Sequence, residues 1–285
     1  MNNYDEQIIR NLEIIAVKIR KNIIKMLFKA ASGHPGGSLS AVEGLVSLYF
    51  LHMNHNPKKP DDVNRDRFIL SKGHAAPALY ATLAESGYFS YDELNNLRNM
   101  NCMLQGHPAC LCTPGIEAST GSLGHGLSFA NGVALAAKLD NKDYKTYVML
   151  GDGETNEGQI WEAAAAASHY KLDNLTAFID RNFLQIDGNT EKIMRLESIR
   201  DRWNSFGWKV IEIDGHNIKK ILEALDEADG NSNSPTIIIL NTIKGKGVSF
   251  MENNVDFHGV PPNEMEYNIA IEELDTLQKK LEALN

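Results

Sequence analysis

Apolar residues recur at helical spacing through residues 5–30, at Ile8, Leu12, Ile15, Ile19, Ile23 and Met26, and predict a long amphipathic helix. The turn-rich string ASGHPGGS follows it. Leu39 to Met53 is mostly apolar and predicts a buried helix. Arg67-Phe68-Ile69-Leu70, Tyr147-Val148-Met149-Leu150, Leu175-Thr176-Ala177-Phe178-Ile179 and Thr236 to Leu240 are short apolar runs. These predict buried strands, and Trp208 to Ile213 predicts another. Helices are predicted over residues 76–85, 91–98, 128–138 and 218–228, around Ala163 to Ala167, and in the charged stretch from Asn263. Residues 100–124 form a long irregular region, and such loops inside a compact domain are usually functional.

Strands and helices therefore alternate. That order predicts an α/β fold with a mostly parallel open sheet and helices on both faces. No linker, repeat or low-complexity segment divides the chain, so residues 1–285 are expected to form a single domain with peripheral N-terminal and C-terminal helices. His74, Asp152, Asn182 and Lys244 each follow a strand-like run. Open α/β sheets bind ligands at the carboxyl ends of their strands, so the four motifs point to one site.

The densest chemistry lies in GDGETNEGQIWEAAAAASHYKLDNLTAFIDRNFLQIDG, residues 151–188. Here a carboxylate follows one strand and an amide follows the next. In a parallel sheet Asp152 and Asn182 can converge on one cation. Hard oxygen ligands suit Mg²⁺, which keeps water and phosphate oxygens in its shell. Gly153 allows close approach of a phosphate to the backbone, and the following helix start favours anionic oxygens. These features indicate a magnesium diphosphate site without saying which diphosphate. A lone G-D-G would be no more than a glycine turn beside a solvated carboxylate.

The spacing from G-D-G to Asn182 resembles the thiamine diphosphate (ThDP) signature. The longer string, together with GHPGGSLSAVE, LQGHP and STGSLG, resembles the transketolase family over about residues 10–270. The resemblance implies a ThDP-binding fold. It also implies metal ligation by Asp152, Asn182 and the backbone oxygen of Leu184, with Mg²⁺ as the ion and Ca²⁺ or Mn²⁺ as possible substitutes. Phe183 departs from the commoner small residue between the two ligands. By the same resemblance His34 touches the sugar, His107 lies beside the reacting carbonyl, and His258 reaches both diphosphate and substrate. These three are the candidate catalytic residues. His74, Gly121, Ser122, Leu123, Gly153, Glu154, Asn182, Lys244 and His258 are the candidate cofactor-binding residues. Many family members carry glutamine at the position of His125, whose role stays open beyond starting a helix. Equivalents of Glu157 lie near the dimer interface.

The implied reaction moves a two-carbon ketol (glycolaldehyde) unit from a ketose phosphate to an aldose phosphate through ThDP. Full-length transketolases are roughly twice this long. They add a pyrimidine-binding domain, which supplies the glutamate that activates the cofactor, and a C-terminal domain. The arginines that clamp the sugar phosphate also lie in these added parts, and no residue here matches that glutamate's motif. The expectation is the N-terminal subunit of a split transketolase, active only with a C-terminal partner subunit in an α2β2 heterotetramer, with an apolar face for that partner. Donor and acceptor sugars, including modified ones, stay open. A 1-deoxyxylulose-5-phosphate synthase-like enzyme, a 2-oxo acid dehydrogenase component and a non-catalytic ThDP-binding protein are the competing readings.

Composition narrows the rest. The chain is 43% hydrophobic and 23% charged, with a net charge of −9, which argues against a nucleic-acid partner. No uninterrupted apolar stretch is long enough to span a bilayer, and the N-terminus lacks the uncharged core of a secretory signal. A cytoplasmic location is expected. Cys102, Cys110 and Cys112 surround His107, a grouping that zinc or an iron–sulfur cluster could use. Without a C-x-x-C pair, reduced thiols are the better reading.

Overall fold

The computed structural model describes residues 4–284; residues 1–3 and 285 of the predicted domain lie outside them. The N-terminal helix α1 (Glu6–Ala30) begins where Asp5 caps the Ile8 amide. Two short helices follow, α2 (Pro35–Ser40) and α3 (Val42–Ser47), then a π-type turn over Leu48–His52. The single helix expected over 39–53 is therefore broken into pieces. Pro35 sets the first-turn backbone and starts α2 early. Strand β1 (Arg67–Leu70) precedes α4 (Ala76–Ser86). The helix expected over 91–98 is only a 3-10 turn, Tyr91–Asn96. It stops because Leu97 leaves helical geometry at ψ 125° and Arg98 is left-handed at φ 64°.

Helix α5 (His125–Leu139) starts three residues earlier than its apolar pattern suggests, directly after Gly124 at φ 88°. Strand β2 (Thr146–Gly151), helix α6 (Gly158–His169) and strand β3 (Leu175–Arg181) form the expected strand–helix–strand unit. A small hairpin of β4 (Leu184–Gln185) and β5 (Gly188–Asn189) follows, then α7 (Thr190–Ile193) and α8 (Ile199–Ser205). Strand β6 (Lys209–Asp214), α9 (Ile218–Asp229), β7 (Thr236–Asn241) and α10 (Glu264–Glu282) complete the chain. Asn263 and Glu266 close a capping box at the start of α10.

The five main strands are all parallel, in the order β1-β2-β3-β7-β6. Successive side chains alternate between two cores. Leu70, Met149, Phe178 and Ile238 face the core with α1, α3, α4 and α9. Ile69, Val148, Ile179 and Ile237 face the core with α5, α6 and α8. Burial on both faces explains why these strands read as continuous apolar runs rather than alternating ones. Strand β6 is only half-buried and closes one edge with Glu212 and Asp214 exposed. The register sets Gly151 beside Asp180 and Asp180 beside Leu240. Polar residues just beyond these positions emerge together at one end of the sheet.

Candidate functional site

A cavity of about 420 Å³ opens at that end. Its walls include His34, His74, His107, His258, Gly121, Leu123, Asp152, Gly153, Glu154, Asn182, Leu184 and Lys244. Of the sequence-predicted site residues, only Ser122 stays outside the lining; it is exposed between two residues that face inward. His125 also lies outside, exposed at the start of α5.

The predicted metal ligands are linked by the backbone. Phe183 takes φ 63°, a costly left-handed conformation for a bulky residue. This turn directs the Phe183 N–H to Asp152 Oδ2 at 2.7 Å, while the Leu184 N–H donates to Asn182 Oδ1 at 3.2 Å. Arg181 helps hold the turn. Its guanidinium stacks on the Phe183 ring, 4.1 Å from the centroid, and donates to Glu191 and Glu197, each at 2.8 Å. It also lies 3.3 Å from Asp152 Oδ2. Burial and the neighbouring Asp180 raise the Asp152 carboxyl above its ordinary range. A cation at Asp152 would offset that cost.

Asp180 organises the floor. Its carboxylate accepts from Lys72, Ser40 and Thr242, and from the Asn182 amide at 3.2 Å. Burial alone would raise its pKa, but the Lys72 ammonium and these donors hold it low. The amide bond fixes which end of Asn182 is the nitrogen and leaves Oδ1 to face a ligand. Lys72 itself is spent on Asp180 and the Gly37 carbonyl. Glu154 is similarly occupied, accepting from Ser71 and from the amides of Gly124 and Gly151. It braces the Gly151–Gly153 turn.

Four imidazoles face one another across the cavity. The His34 ring lies 5.4 Å from His74, 6.5 Å from His107 and 5.7 Å from His258. Burial, then Arg98, His107 and Lys244, lower the His34 pKa to about 4. His258 is lowered to about 3 by burial and Lys244, and His74 falls well below its usual value. These rings are therefore neutral at pH 7. Lys244 Nζ sits 2.6 Å from His258 Nδ1. An ammonium only donates, so Nδ1 accepts and Nε2 carries the ring proton. The amine is itself lowered to about 8, first by burial and then by Lys72.

His34 gives a direct test. Its ring carbon resonance should titrate near pH 4; a midpoint near the ordinary histidine value would refute this environment. A lowered folded-state pKa means the unfolded chain binds more protons, so stability is present above the ordinary histidine pKa and falls as pH drops toward 4.

The residues fit a diphosphate cofactor with a divalent ion. The oxygens that could bind a cation are one carboxylate, one amide oxygen and one carbonyl, all hard; the carbonyl, of Leu184, also accepts from Lys244 at 3.1 Å. His34 Nδ1 is buried without a hydrogen-bond partner, as expected of a group awaiting a ligand. Gly37 keeps the floor clear, since a Cβ there would stand 3.3 Å from His74 Nε2. Gly121, at φ 148°, passes so close to His107 that a Cβ would meet the ring at 3.1 Å.

Comparison with known proteins decides the family. Residues 12–279 match the family described as transketolase, thiamine diphosphate binding domain. The chain belongs to the transketolase family. Its fold is the ThDP-binding α/β fold of those enzymes. It is 47% identical to an apulose-4-phosphate transketolase subunit of Phocaeicola vulgatus, over 97% of this chain and 98% of that protein. It is 46% identical to the 6-deoxy-6-sulfo-D-fructose transketolase subunit SqwG of Clostridium sp. strain MSTE9, over 90% of this chain and 94% of that protein. The crystal structure of Campylobacter jejuni transketolase superposes with a TM-score of 0.85 at 32% identity, over 99% of this chain and 48% of that one. The chain thus spans about half the length of the solved transketolase structures it matches.

Sequence reasoning missed several site residues. Gln185, Ile186, Asp187 and Met194 line the cavity from the hairpin and the end of α7. Asp180 and Arg181 were legible only as part of the D-R-N string. Arg98, which donates to Ser32 at 2.7 Å near the His34 loop, carried no motif at all.

Proposed function

We propose that this chain is the diphosphate-binding, N-terminal subunit of a two-chain transketolase. It would transfer a two-carbon ketol unit between sugar phosphates once a C-terminal subunit joins it. The observation that carries this reading is the convergence of Asp152, Asn182, Leu184, Lys244 and the four histidines on one cavity. Two relatives that it covers almost end to end are named as transketolase subunits.

Asp152, Asn182 and the Leu184 carbonyl would hold Mg²⁺, or Ca²⁺ or Mn²⁺ in its place. His74, Gly153, Lys244 and His258 would hold the diphosphate, and Gly121 to Leu123 would pack on the cofactor's ring. ThDP supplies the electron sink for the two-carbon unit. Neutral His34 and His107 would bind sugar hydroxyls and accept or return their protons, as general acid–base chemistry requires. Lys244 fixes the His258 tautomer, so His258 would act as a donor, holding a diphosphate or sugar oxygen through Nε2–H.

The partner subunit would cover the cavity mouth. Ile186 and Met194 line the cavity yet are 69% and 60% exposed. Ile193 stands exposed beside them. Such an apolar rim fits an interface. An α2β2 assembly follows if the subunits pair as the two halves of full-length transketolases do. The relatives' names span apulose 4-phosphate and 6-deoxy-6-sulfo-D-fructose, so the sugar can differ from ordinary pentose phosphates. The pentose phosphate pathway and the cytoplasm are the proposed setting. Free Cys102, Cys110 and Cys112 accord with the latter, and no helix among the described residues is long and apolar enough to cross a membrane.

Reconstitution tests the proposal. The chain alone should show no turnover. Mixed with its co-purifying partner, ThDP and Mg²⁺, it should convert xylulose 5-phosphate and ribose 5-phosphate. Turnover of pyruvate instead would favour the synthase or dehydrogenase reading, and no turnover of these sugars, of apulose 4-phosphate or of 6-deoxy-6-sulfo-D-fructose with any partner would leave a binding protein.

A further inference from the structure

Behind the cavity lies a buried ionic cluster that no motif announced. Arg20 on α1 is 3% exposed and Glu43 on α3 is 6% exposed. Arg20 Nη2 donates to both Glu43 oxygens, at 2.6 and 2.8 Å. His216, in the turn after β6, places Nδ1 3.0 Å from Glu43 Oε2. Its other nitrogen, Nε2, accepts the Ile243 N–H at 2.8 Å. That backbone bond settles the tautomer. Nε2 must be bare, so Nδ1 carries the proton and gives it to Glu43 in a hydrogen bond. Burial alone would raise Glu43, but Arg20 and His216 hold it ionised.

Both ends of this cluster grip the same loop. His216 holds Ile243, and Arg20 Nε donates to the Lys246 carbonyl at 2.9 Å. Lys244 lies between these two anchors. The Gly245 N–H adds a third, donating to the Gly36 carbonyl at 3.0 Å. Gly247, at φ 92°, lets the loop press on Arg20, where a Cβ would meet Cδ at 3.0 Å. With its backbone pinned on either side, Lys244 reaches the Leu184 carbonyl at 3.1 Å and His258 Nδ1 at 2.6 Å. Neither Arg20, Glu43 nor His216 lines the cavity.

We propose that Arg20, Glu43 and His216 are positioning residues whose task is to aim Lys244 at the diphosphate and metal end of the cavity. The inference rests on the functional reading above. A buried ion pair is weak evidence for stability alone, because its desolvation cost rivals its attraction. Here the pair has a geometric use, since its two outer bonds fall on residues flanking one functional side chain. Outer groups that orient a ligand-binding residue typically change affinity by about 10–100-fold when removed.

Two substitutions at His216 separate the bonds. In His216→Asn the amide can still reach Glu43 but not the Ile243 N–H. In His216→Gln the longer amide restores an acceptor for Ile243. Calorimetry on the full chain, with Mg²⁺ and ThDP and separately with Mg²⁺ and inorganic pyrophosphate, should show about 10-fold weaker binding for His216→Asn. His216→Gln should recover most of it. In a Lys244→Met background, His216→Asn should cause no further loss, because the residue through which it acts is gone. Additive losses from His216→Asn and Lys244→Met, or undiminished binding by His216→Asn, would overturn the inference and leave the functional reading intact. Absence of binding to the unaltered chain, alone or with its partner, would overturn both.

Discussion

Replacing Asp152 with asparagine is expected to abolish magnesium-dependent binding of ThDP while leaving the chain folded. Asp152 is the only acidic side chain among the three proposed ligands, so its loss removes the charge that draws the cation out of water. Changes to groups merely supporting a metal ligand cost about 10–100-fold; loss of the ligand's charge should cost more than that. The fold should tolerate the change. The carboxylate is buried beside Asp180, and burial together with that neighbour already disfavours its charged form. Gly153 and Phe183 donate to different Asp152 oxygens, at 2.7 Å each, so the single amide oxygen keeps one of these bonds and the loss of the other costs about 1–3 kcal/mol, short of unfolding the chain. Arg181 keeps Glu191, Glu197 and the Thr190 hydroxyl. Thermal unfolding with and without ThDP and Mg²⁺ provides the measurement. Saturating ligand at about 100 times its Kd stabilises a binding protein by about 2.7 kcal/mol. The unaltered chain should show such a shift and Asp152→Asn should show none. A retained magnesium-dependent shift would exclude Asp152 as the anchor.

What the sequence disclosed depended on whether the signal was local. Four of the five sheet strands were legible because both faces are buried, so Thr236 to Leu240 and its counterparts are nearly all apolar; half-buried β6 was legible from its Val210-Ile211 pair and Ile213. His74, Asp152, Asn182 and Lys244 were legible because each follows such a strand, and parallel strands deliver their carboxyl ends to one edge; His34, His107 and His258 follow no strand and were legible only through the family's motifs. The motif strings then named the chemistry. Periodicity failed where a special backbone conformation intervened. Leu97 and Arg98 ended an expected helix, and Pro35 began α2 before the apolar stretch. The hairpin, α7 and α8 carry too few apolar positions to announce themselves. Ile186 and Met194 are exposed in this chain, so no core pattern marked them.

The supporting charges were hidden for a different reason. Arg20 and Glu43 sit within helical patterns where charged residues are ordinarily solvated. Their pairing depends on α1 and α3 meeting across the sheet face, which a local reading does not contain. Lys72 illustrates the same limit. It follows β1, where an ammonium could meet a phosphate, yet the fold turns it onto Asp180 and the Gly37 carbonyl. A lysine's reach is long enough that its partner is set by tertiary packing rather than by sequence position.

That pairing makes Asp180→Ala the second change with a large expected effect, and here the damage should fall on folding and binding together. Asp180 is 0% exposed and Lys72 is 1% exposed. Removing the carboxylate strands an ammonium in the interior, which typically costs about 3–5 kcal/mol. Ser40 and Thr242 also lose their acceptor. Denaturant unfolding should record the loss directly. Adding Lys72→Met removes the stranded charge and should recover much of the stability, since replacing both partners of a buried pair by apolar groups is often neutral. Binding should not recover with it. The Asn182 amide nitrogen would still lack the carboxylate oxygen that orients it at 3.2 Å and keep only the Asp180 backbone carbonyl at 3.5 Å, so Oδ1, held by the Leu184 N–H alone, is less firmly aimed at the metal position. A doubly substituted chain that regains its fold but not its affinity for ThDP and Mg²⁺ would separate the two roles of Asp180. Full recovery of affinity would show that Asn182 needs no such guide, and a loss below about 1 kcal/mol in the single variant would show that Lys72 finds another partner.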